Sequence, residues 1–415
     1  MAVGGRRISG AAISVLLFLA AQPVAAATFL SPHATLGYEH NSNVFMRPSD
    51  APPFAAEGLT ALGDTILDYK AGLGAELDWG MDELTLHAEG TREQYDSFSF
   101  LDHYEYSLGG NLNWRLGSVV DGTVAFVQSR YAAPFTETLT TSLLLDTERT
   151  AAATVRFLLT PEWRLDLNPE LHQIDSPLPG FPEFKLRETI GTADLDYLGF
   201  GKLTAGLQFT DTRGRYEEIA EATRYQQREI DLTANYKVSG FSTFSASAGY
   251  TRRDSEPNPA DSTPAPAGLG AFAGYEGAAG TTSGATGSLK YQRQFTGRTS
   301  GYLSLFRRVD SYGAGANPEI DTGGEVGVTW KADPKITVSL SYGLARDQIK
   351  GGLIVVNAAN RTDRTQTAVF DVRYAALSWL TIRPYANWDK VISTFTLGNY
   401  SATILGVDVT GRLRW

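Results

Sequence analysis

The stretch LDYKAGLGAELDW, residues 67–79, decides the fold class. Every second residue from Leu67 to Trp79 is apolar, and most positions between them are charged or glycine. Successive side chains of a β-strand point to opposite faces, so this alternation predicts a strand with one apolar face and one polar face. Helical spacing does not fit the pattern.

The same alternation recurs along the chain, at residues 104–114, 163–171, 203–209, 230–238, 336–344, 368–374 and 403–415. Brief turns and long polar segments alternate between the runs. The long segments are 41–63, 97–103, 132–147, 175–183, 214–224, 254–282, 311–319, 350–362 and 393–399. Outer-membrane barrels have short periplasmic turns, long extracellular loops and an even strand number. We therefore predict an all-β, transmembrane antiparallel β-barrel of about 18 strands. A soluble sandwich or propeller is the alternative, but it gives no reason for this asymmetry of connections.

The first 27 residues have the pattern of a secretory signal peptide. Arg6 and Arg7 precede an apolar run at 11–21, and small residues at 25–27 predict cleavage near Ala26 or Ala27. The run is shorter than the roughly 20 residues of a membrane-spanning helix. We expect residues 28–415 to form the barrel in a bacterial outer membrane. The alternating C-terminal segment, which ends at Trp415, resembles the strand signal by which such barrels are recognised for assembly.

Charge and composition exclude several classes of function. The net charge is −10 and becomes −12 once Arg6 and Arg7 are removed, and no cluster of Lys or Arg supplies a basic stripe, so nucleic acid is not an expected partner. The absence of cysteine removes disulfides, thiolate zinc sites and cysteine nucleophiles. We expect no cofactor.

Only two combinations of residues suggest catalysis: His172 with Asp175 and Ser176, and His87 with Glu89. A triad is defined by geometry rather than by closeness in sequence, and the chain has neither a nucleophile elbow nor the histidine spacing of a metal site. The sequence therefore predicts a protein that is not an enzyme. An outer-membrane hydrolase remains the minor alternative.

Three segments carry a resemblance to a known family. They are YEHNSNVFMRP at 38–48, YDSFSFLDHYEYSLGGNLNWRLG at 95–117 and PEWRL at 161–165. They resemble the exosortase/PEP-CTERM-associated, EpsL-type outer-membrane barrels of exopolysaccharide biosynthesis. The resemblance implies a barrel that makes or exports exopolysaccharide, whose partners are a polysaccharide or oligosaccharide and periplasmic polysaccharide-export proteins, with no catalytic residues to carry over. A general or sugar-selective diffusion porin is the alternative.

The alternate strand positions that carry polar residues should point into the barrel, so they predict the lining of the lumen. Its members are Asp68, Lys70, Glu76, His87, Glu89, Glu105, Asn111, Asn113, Arg164, Asp166 and Glu170. A lining of both signs suits neutral, polyhydroxylated solutes. The alternative is that these are ordinary solvated residues without a defined site.

In six strands, the row of alternate positions that carries the apolar residues ends with an arginine. These arginines are Arg92, Arg130, Arg213, Arg252, Arg307 and Arg346. Outward guanidinium groups above the lipid would meet lipopolysaccharide phosphates, to which arginine makes forked, charge-assisted bonds. The alternative is that these are solvated charges paired with neighbours such as Asp254 and Asp347.

The longest connection, residues 254–282, is rich in proline, alanine and glycine. Long loops of porin-like barrels can fold inward as constrictions. A segment of this composition buries little apolar surface, so we expect it to be disordered outside the barrel.

Overall fold

The alternating runs form strands that are longer than the patterns alone predict. The computed structural model describes residues 27–48, 61–135, 142–177, 184–217, 223–257, 280–311, 318–350, 360–395 and 398–414. The strands are β1 (Ala27–Asn41), β2 (Asp64–Trp79), β3 (Asp82–Tyr95), β4 (His103–Leu116), β5 (Val120–Ala132), β6 (Leu145–Thr160), β7 (Trp163–Ser176), β8 (Phe184–Phe200), β9 (Leu203–Glu217), β10 (Thr223–Ser239), β11 (Ser242–Pro257), β12 (Gly280–Gln294), β13 (Thr299–Ser311), β14 (Pro318–Asp333), β15 (Ile336–Lys350), β16 (Asn360–Ala375), β17 (Leu380–Ser393) and β18 (Tyr400–Arg412).

The sheet closes on itself. Each strand pairs antiparallel with the next, and β18 pairs with β1 from His33 opposite Arg412 to Asn41 opposite Ile404. The prediction of an antiparallel barrel of about 18 strands is confirmed. Closure gives every strand a neighbour on both sides, so the sheet has no free edge strand, although the β12–β13 ladder covers only Gly287–Gln294 of β12.

The two strand faces differ as the alternation predicts. Leu36, Tyr69 and Leu73 are among the large apolar side chains that the barrel exposes, and they lie on the outward parity of their strands. The register keeps this parity from strand to strand, with Leu36 opposite both Val409 and Tyr69. The middle of the barrel therefore has an apolar outer face and a polar inner face.

The two ends of the barrel carry different connections. We call them the short-turn end and the long-loop end. Gly80, Gly117 and Gly201 adopt positive φ angles of 65°, 66° and 68° in the tight turns, a region that glycine enters without steric cost. At the long-loop end the ladders extend into segments predicted as loops, so β11 continues to Pro257 and β12 begins at Gly280. Backbone pairing does not need apolar side chains, which is why strand ends outrun the hydrophobic pattern.

Two predicted features lie outside the described residues: the signal peptide up to residue 26, and residues 258–279 of the longest connection. A short 3-10 helix, Ser99–Leu101, occupies the segment between β3 and β4. Within the described part of the chain, no helix has the length and apolar character needed to cross a membrane.

Two prolines interrupt the ladder on one side only. Pro169 in β7 has no register partner in β6, and Pro384 in β17 has none in β16, although each is paired on its other side, with Gly191 and Val407. Proline lacks the N–H that a ladder bond requires. Each strand therefore tolerates a proline because its other edge carries the local pairing.

Candidate functional site: the lumen and its long-loop end

The predicted lumen residues all lie on the inward parity of their strands. On β2 to β4 they are Asp68, Lys70, Glu76, His87, Glu89, Glu105, Asn111 and Asn113, and on β7 they are Arg164, Asp166 and Glu170. Most are half-buried. Whether they form a binding site for a solute stays a prediction.

Several inward pairs are ones that sequence spacing does not suggest. Glu89 accepts a bond from His33 at 2.8 Å, although His87 is its neighbour in sequence. Arg164 forms ion pairs with Asp166 and Asp196, at 3.2 Å and 2.5 Å. His33 and Glu89 lie on next-adjacent strands and Arg164 and Asp196 on adjacent ones, so the register brings these two pairs together, whereas Asp166 follows Arg164 by two residues on β7.

The combination of His172, Asp175 and Ser176 considered for catalysis does not assemble. The nitrogens of His172 contact Glu188 at 2.7 Å and Glu148 at 3.0 Å, while Ser176 donates to the carboxylate of Asp146. Asp175 lies on the opposite strand face and pairs with Arg149 at 2.5 Å. Nucleophile, base and orienting acid are thus separated.

The six rim arginines are all exposed and lie on the outward parity. Arg213 and Arg252 pair with carboxylates two residues away, at 2.9 Å to Asp211 and 3.0 Å to Asp254. Arg92 lies over the ring of Tyr104 at 5.4 Å. For the remaining three, Arg130, Arg307 and Arg346, register neighbours include Tyr106, Thr322 and Arg364. Asp347 lies on the inward parity, away from the outward face that carries Arg346.

A buried apolar cluster at the long-loop end was missed by the sequence analysis. Its core is Val44, Phe45, Phe98 and Leu101, and Leu62, Tyr95, Phe135 and Leu143 pack against it. We call these eight residues the loop cluster. They come from the β1–β2, β3–β4 and β5–β6 connections, which lie side by side on the rim. The sequence signal for this cluster is two apolar pairs inside segments predicted as polar loops. They are Val44 with Phe45, and Phe98 with Leu101.

Polar groups hold the loop cluster in place. The side chain of Asn43 donates to the carbonyls of Arg47 at 2.7 Å and Ser401 at 3.1 Å, and accepts from the amide of Arg47. Asp64 accepts from the amides of Ser97 and Phe98. These bonds satisfy the backbone carbonyl and amide of Arg47 and the amides of Ser97 and Phe98. The segment 38–48, which carries the family resemblance, thus supplies both core residues of this cluster and the polar residues beside them.

The inward face of β1 to β4 carries more carboxylates than cations. Its acidic residues are Glu39, Asp64, Asp68, Glu76, Asp78, Glu83, Glu89, Glu93 and Glu105, whereas Lys70 and Arg115 are its only Lys or Arg among the described residues. The outward parity holds many of the arginines, so the excess negative charge of the chain falls inside. The lumen contains both signs, as predicted, with carboxylates dominant on these strands.

The sequence matches no family model and no curated protein. Among solved structures, it is similar to OccK1 (OpdK) of Pseudomonas aeruginosa, with a TM-score of 0.47, 12% identity and coverage of 94% of this chain and 99% of that one. It is also similar to the siderophore receptor PirA of Pseudomonas aeruginosa, with a TM-score of 0.47, 10% identity and coverage of 92% and 80%. The copper transporter OprC gives a TM-score of 0.51 at 9% identity, and the match covers 88% of this chain and 62% of that one. The last likeness shows the barrel fold alone.

Proposed function

We propose that this protein is a porin-like channel of a bacterial outer membrane, without a catalytic role. The observation that carries the proposal is the division of faces in a closed barrel, with apolar side chains outward and charged or hydroxylated side chains inward. Hydrocarbon satisfies no backbone hydrogen bonds, so a spanning sheet must close and must present apolar side chains to lipid. The rims then place the short turns in the periplasm and the long loops outside the cell.

The strand number supports a water-filled interior. Strands spaced about 4.8 Å apart and tilted by about 40° close into a backbone cylinder roughly 18 Å in radius when there are 18 of them. Barrels of this size leave an aqueous channel unless a plug fills them. Charged inward residues such as Asp166 and Glu170 are consistent with a lining that faces water.

We assign the channel to an exopolysaccharide pathway, in which it passes or guides polymer or supports its secretion. The support is the resemblance of residues 38–48 and 95–117 to barrels of such pathways. The polar lining adds hydrogen-bonding groups suited to sugars, including the amides of Asn111 and Asn113, which lie 3.2 Å apart. A polysaccharide or oligosaccharide is the proposed solute, and periplasmic export proteins are the proposed partners.

Planar-bilayer recording tests the channel. The refolded protein should give stepwise conductance that oligosaccharides reduce by entering the lumen. A reconstituted, heat-modifiable barrel that conducts no ions would reject the proposal and indicate a plugged or purely structural barrel.

Gene deletion separates the pathway role from a general diffusion porin. Loss of surface polysaccharide, restored by the wild-type gene, is expected for the pathway role. Normal polymer output with slower uptake of small sugars would instead identify a diffusion porin.

We further propose that the six rim arginines bind lipopolysaccharide phosphates. They are exposed, outward and close to the level at which the apolar face ends. Charge reversal of Arg307 and Arg346 together should lower the amount of lipopolysaccharide that co-purifies with the barrel. Unchanged co-purification and unchanged outer-membrane integrity would show that these are ordinary solvated charges.

A further inference from the structure

One row of inward positions crosses five neighbouring strands at the long-loop end. The register places Asp408 opposite Gly37, Gly37 opposite Asp68, Asp68 opposite Glu93, and Glu93 opposite His103. Glu105 follows two residues after His103 on the same face. This row therefore sets acidic residues of β18, β2 and β3 in line with His103, whose imidazole contacts Glu93 and Glu105.

The ligand atoms of three of these residues lie as close as metal ligands do. The Nε2 atom of His103 is 3.2 Å from Oε1 of Glu105 and 3.7 Å from Oε2 of Glu93, and one ligand atom from each of the three residues lies within 4.8 Å of the others. Two ligands of a tetrahedral ion with bonds of about 2.1 Å are about 3.4 Å apart. An ion between the three groups thus needs only small side-chain movements.

The tautomer of His103 is set for coordination. Its Nδ1 atom is 2.7 Å from the carbonyl oxygen of Leu101, which only accepts, so Nδ1 carries the proton. Nε2 therefore faces the carboxylates of Glu93 and Glu105. Without an ion it donates to Glu105, and a bound ion would displace that proton. A histidine that ligates a metal through one nitrogen commonly donates from the other to a carbonyl or carboxylate. The side chain of His103 is 1% exposed, so water does not compete freely for Nε2.

The surroundings contain more negative charge than the nearby cations balance. Asp68 is 7% exposed, and its Oδ1 atom has no hydrogen-bond partner in the described part of the chain. Glu39, Glu105 and Asp408 act on it electrostatically, and Lys70 opposes them. At Gly37, which has no side chain, Asp408 and Asp68 approach within 2.9 Å and 3.1 Å of the position that a Cβ would occupy. A divalent cation would compensate these carboxylates.

A second histidine shows what a purely ionic arrangement looks like in this barrel. His172 has one carboxylate on each nitrogen, Glu188 at Nδ1 and Glu148 at Nε2, so the two carboxylates lie on different sides of the ring and cannot share one ion with the same nitrogen. His103 differs because a carbonyl occupies Nδ1 and both carboxylates face Nε2. His33, with Glu89 alone at Nε2, has too few ligands.

We propose that Glu93, His103 and Glu105 form a binding site for a divalent transition-metal ion, with Asp68 as an adjacent carboxylate. One imidazole and two carboxylates suit Zn²⁺, Mn²⁺ or Fe²⁺. Ions that prefer thiolate ligands, such as Cu⁺, are disfavoured because the chain has no cysteine.

The bound ion stabilises the loop cluster through the contacts of its ligands. Glu105 accepts from the amide of Ala132, at the start of the β5–β6 connection, and His103 contacts the carbonyl of Leu101 in the cluster core. Tyr95, which packs against the cluster, donates to Glu93 at 3.2 Å. Binding therefore couples the β3–β4 and β5–β6 connections at the long-loop end to one ion.

Metal binding to the whole refolded barrel tests the site. After removal of metal with a chelator, equilibrium dialysis against Zn²⁺ should load one ion per chain, and Co²⁺ should give visible absorption bands of a low-symmetry site with a histidine ligand. Glu93→Gln and His103→Gln should each weaken binding by at least about tenfold. The matched controls His33→Gln and His172→Gln should bind like wild type.

Barrel formation and the order of the loops are measured separately from metal binding. Heat-modifiable gel mobility reports whether each variant forms the barrel, and hydrogen exchange of residues 98–105 should slow on addition of Zn²⁺ only when the site is intact. Glu93→Gln keeps the bond from His103 to Leu101, so it tests the site even if His103→Gln disturbs the loops. A folded wild-type barrel that loads no Zn²⁺ or Co²⁺, or folded variants at Glu93 and His103 that load as well as wild type, would overturn the proposal.

Discussion

Single residues in this barrel are constrained by the strands beside them. Gly122 and Gly90 are both strand glycines of the outward face. A Cβ at Gly122 would lie 2.1 Å from the carbonyl oxygen of Thr154 and 2.6 Å from the ring of Trp114, whereas a Cβ at Gly90 would meet nothing within 4 Å. A backbone oxygen cannot move aside without disturbing the ladder, so the two positions differ in what they tolerate.

Gly122→Ala should therefore destabilise the barrel by about 1–3 kcal/mol, as overpacking does. Gly90→Ala should fold as well as wild type. The measurement is the urea midpoint of unfolding from lipid or detergent, with heat-modifiable mobility as the signal. Equal midpoints for the two variants would contradict the close approach at Gly122.

The loop cluster depends in a similar way on one amide. Asn43→Ala removes two donated bonds and one accepted bond from a side chain that is 3% exposed, and leaves the carbonyl and amide of Arg47 without them. We expect the long-loop end to lose about 1–3 kcal/mol of local stability. Limited proteolysis in the 41–63 connection should become faster, while the barrel itself stays folded.

Asn235→Ala is the matched control for this change. Asn235 is exposed and donates one bond to Ser245 at 2.8 Å, so its loss should leave proteolysis unchanged. Protection of the 41–63 connection in Asn43→Ala equal to that of wild type would show that the amide does not hold the turn.

Within a single strand, the outward and inward faces meet different surroundings. In β10, Leu232 is 67% exposed on the outward parity, opposite Leu207 and Ala248, and the next residue, Thr233, points inward. Neighbouring positions of one strand thus meet two different environments.

Leu232→Arg should cost about 2–4 kcal/mol if the outward face contacts lipid, because a guanidinium near the bilayer midplane is poorly solvated. Thr233→Arg should be tolerated, since it enters a lumen in which Asp196 lies near Gly206, the cross-strand partner of Thr233. Unfolding from lipid vesicles measures both. If the two variants were equally stable, the outward face would not be the lipid face.

Several elements were predictable because alternation is a local property of the chain. The run at 67–79 lies within β2, and the run at 336–344 lies within β15. Strand ends were less predictable: β11 and β12 extend into the segment taken as the longest loop, because ladder bonds join backbones whatever the side chains are.

The whole molecule concentrates its negative charge inside. Residues such as Glu76, Glu89 and Asp166 line the lumen, while many arginines, including Arg307 and Arg346, lie on the outer surface. A channel lined in this way attracts cations electrostatically.

We therefore expect the reconstituted channel to prefer K⁺ over Cl⁻, and the preference to weaken as salt concentration rises, since screening shortens the reach of the lining charges. The reversal potential across a bilayer with a salt gradient measures this. Replacing Glu89 and Asp166 by their amides should lower the cation preference, and an anion-selective wild type would contradict the charge distribution.

Sequence alone determined the fold class, the approximate number of strands, the inward or outward parity of each predicted lumen and rim residue, and the side of the barrel that carries long loops. All of these follow from a period of two and from turn chemistry, which depend on neighbours in sequence. Tertiary structure decided which side chains meet. His33 contacts Glu89 across 56 positions and Asn43 contacts Ser401 across 358, and the convergence of Glu93, His103 and Glu105 depends on strand register. The loop cluster likewise forms from three connections whose apolar residues have no common period, so only the pairing of β1 to β6, which sets those connections side by side, brings them into contact.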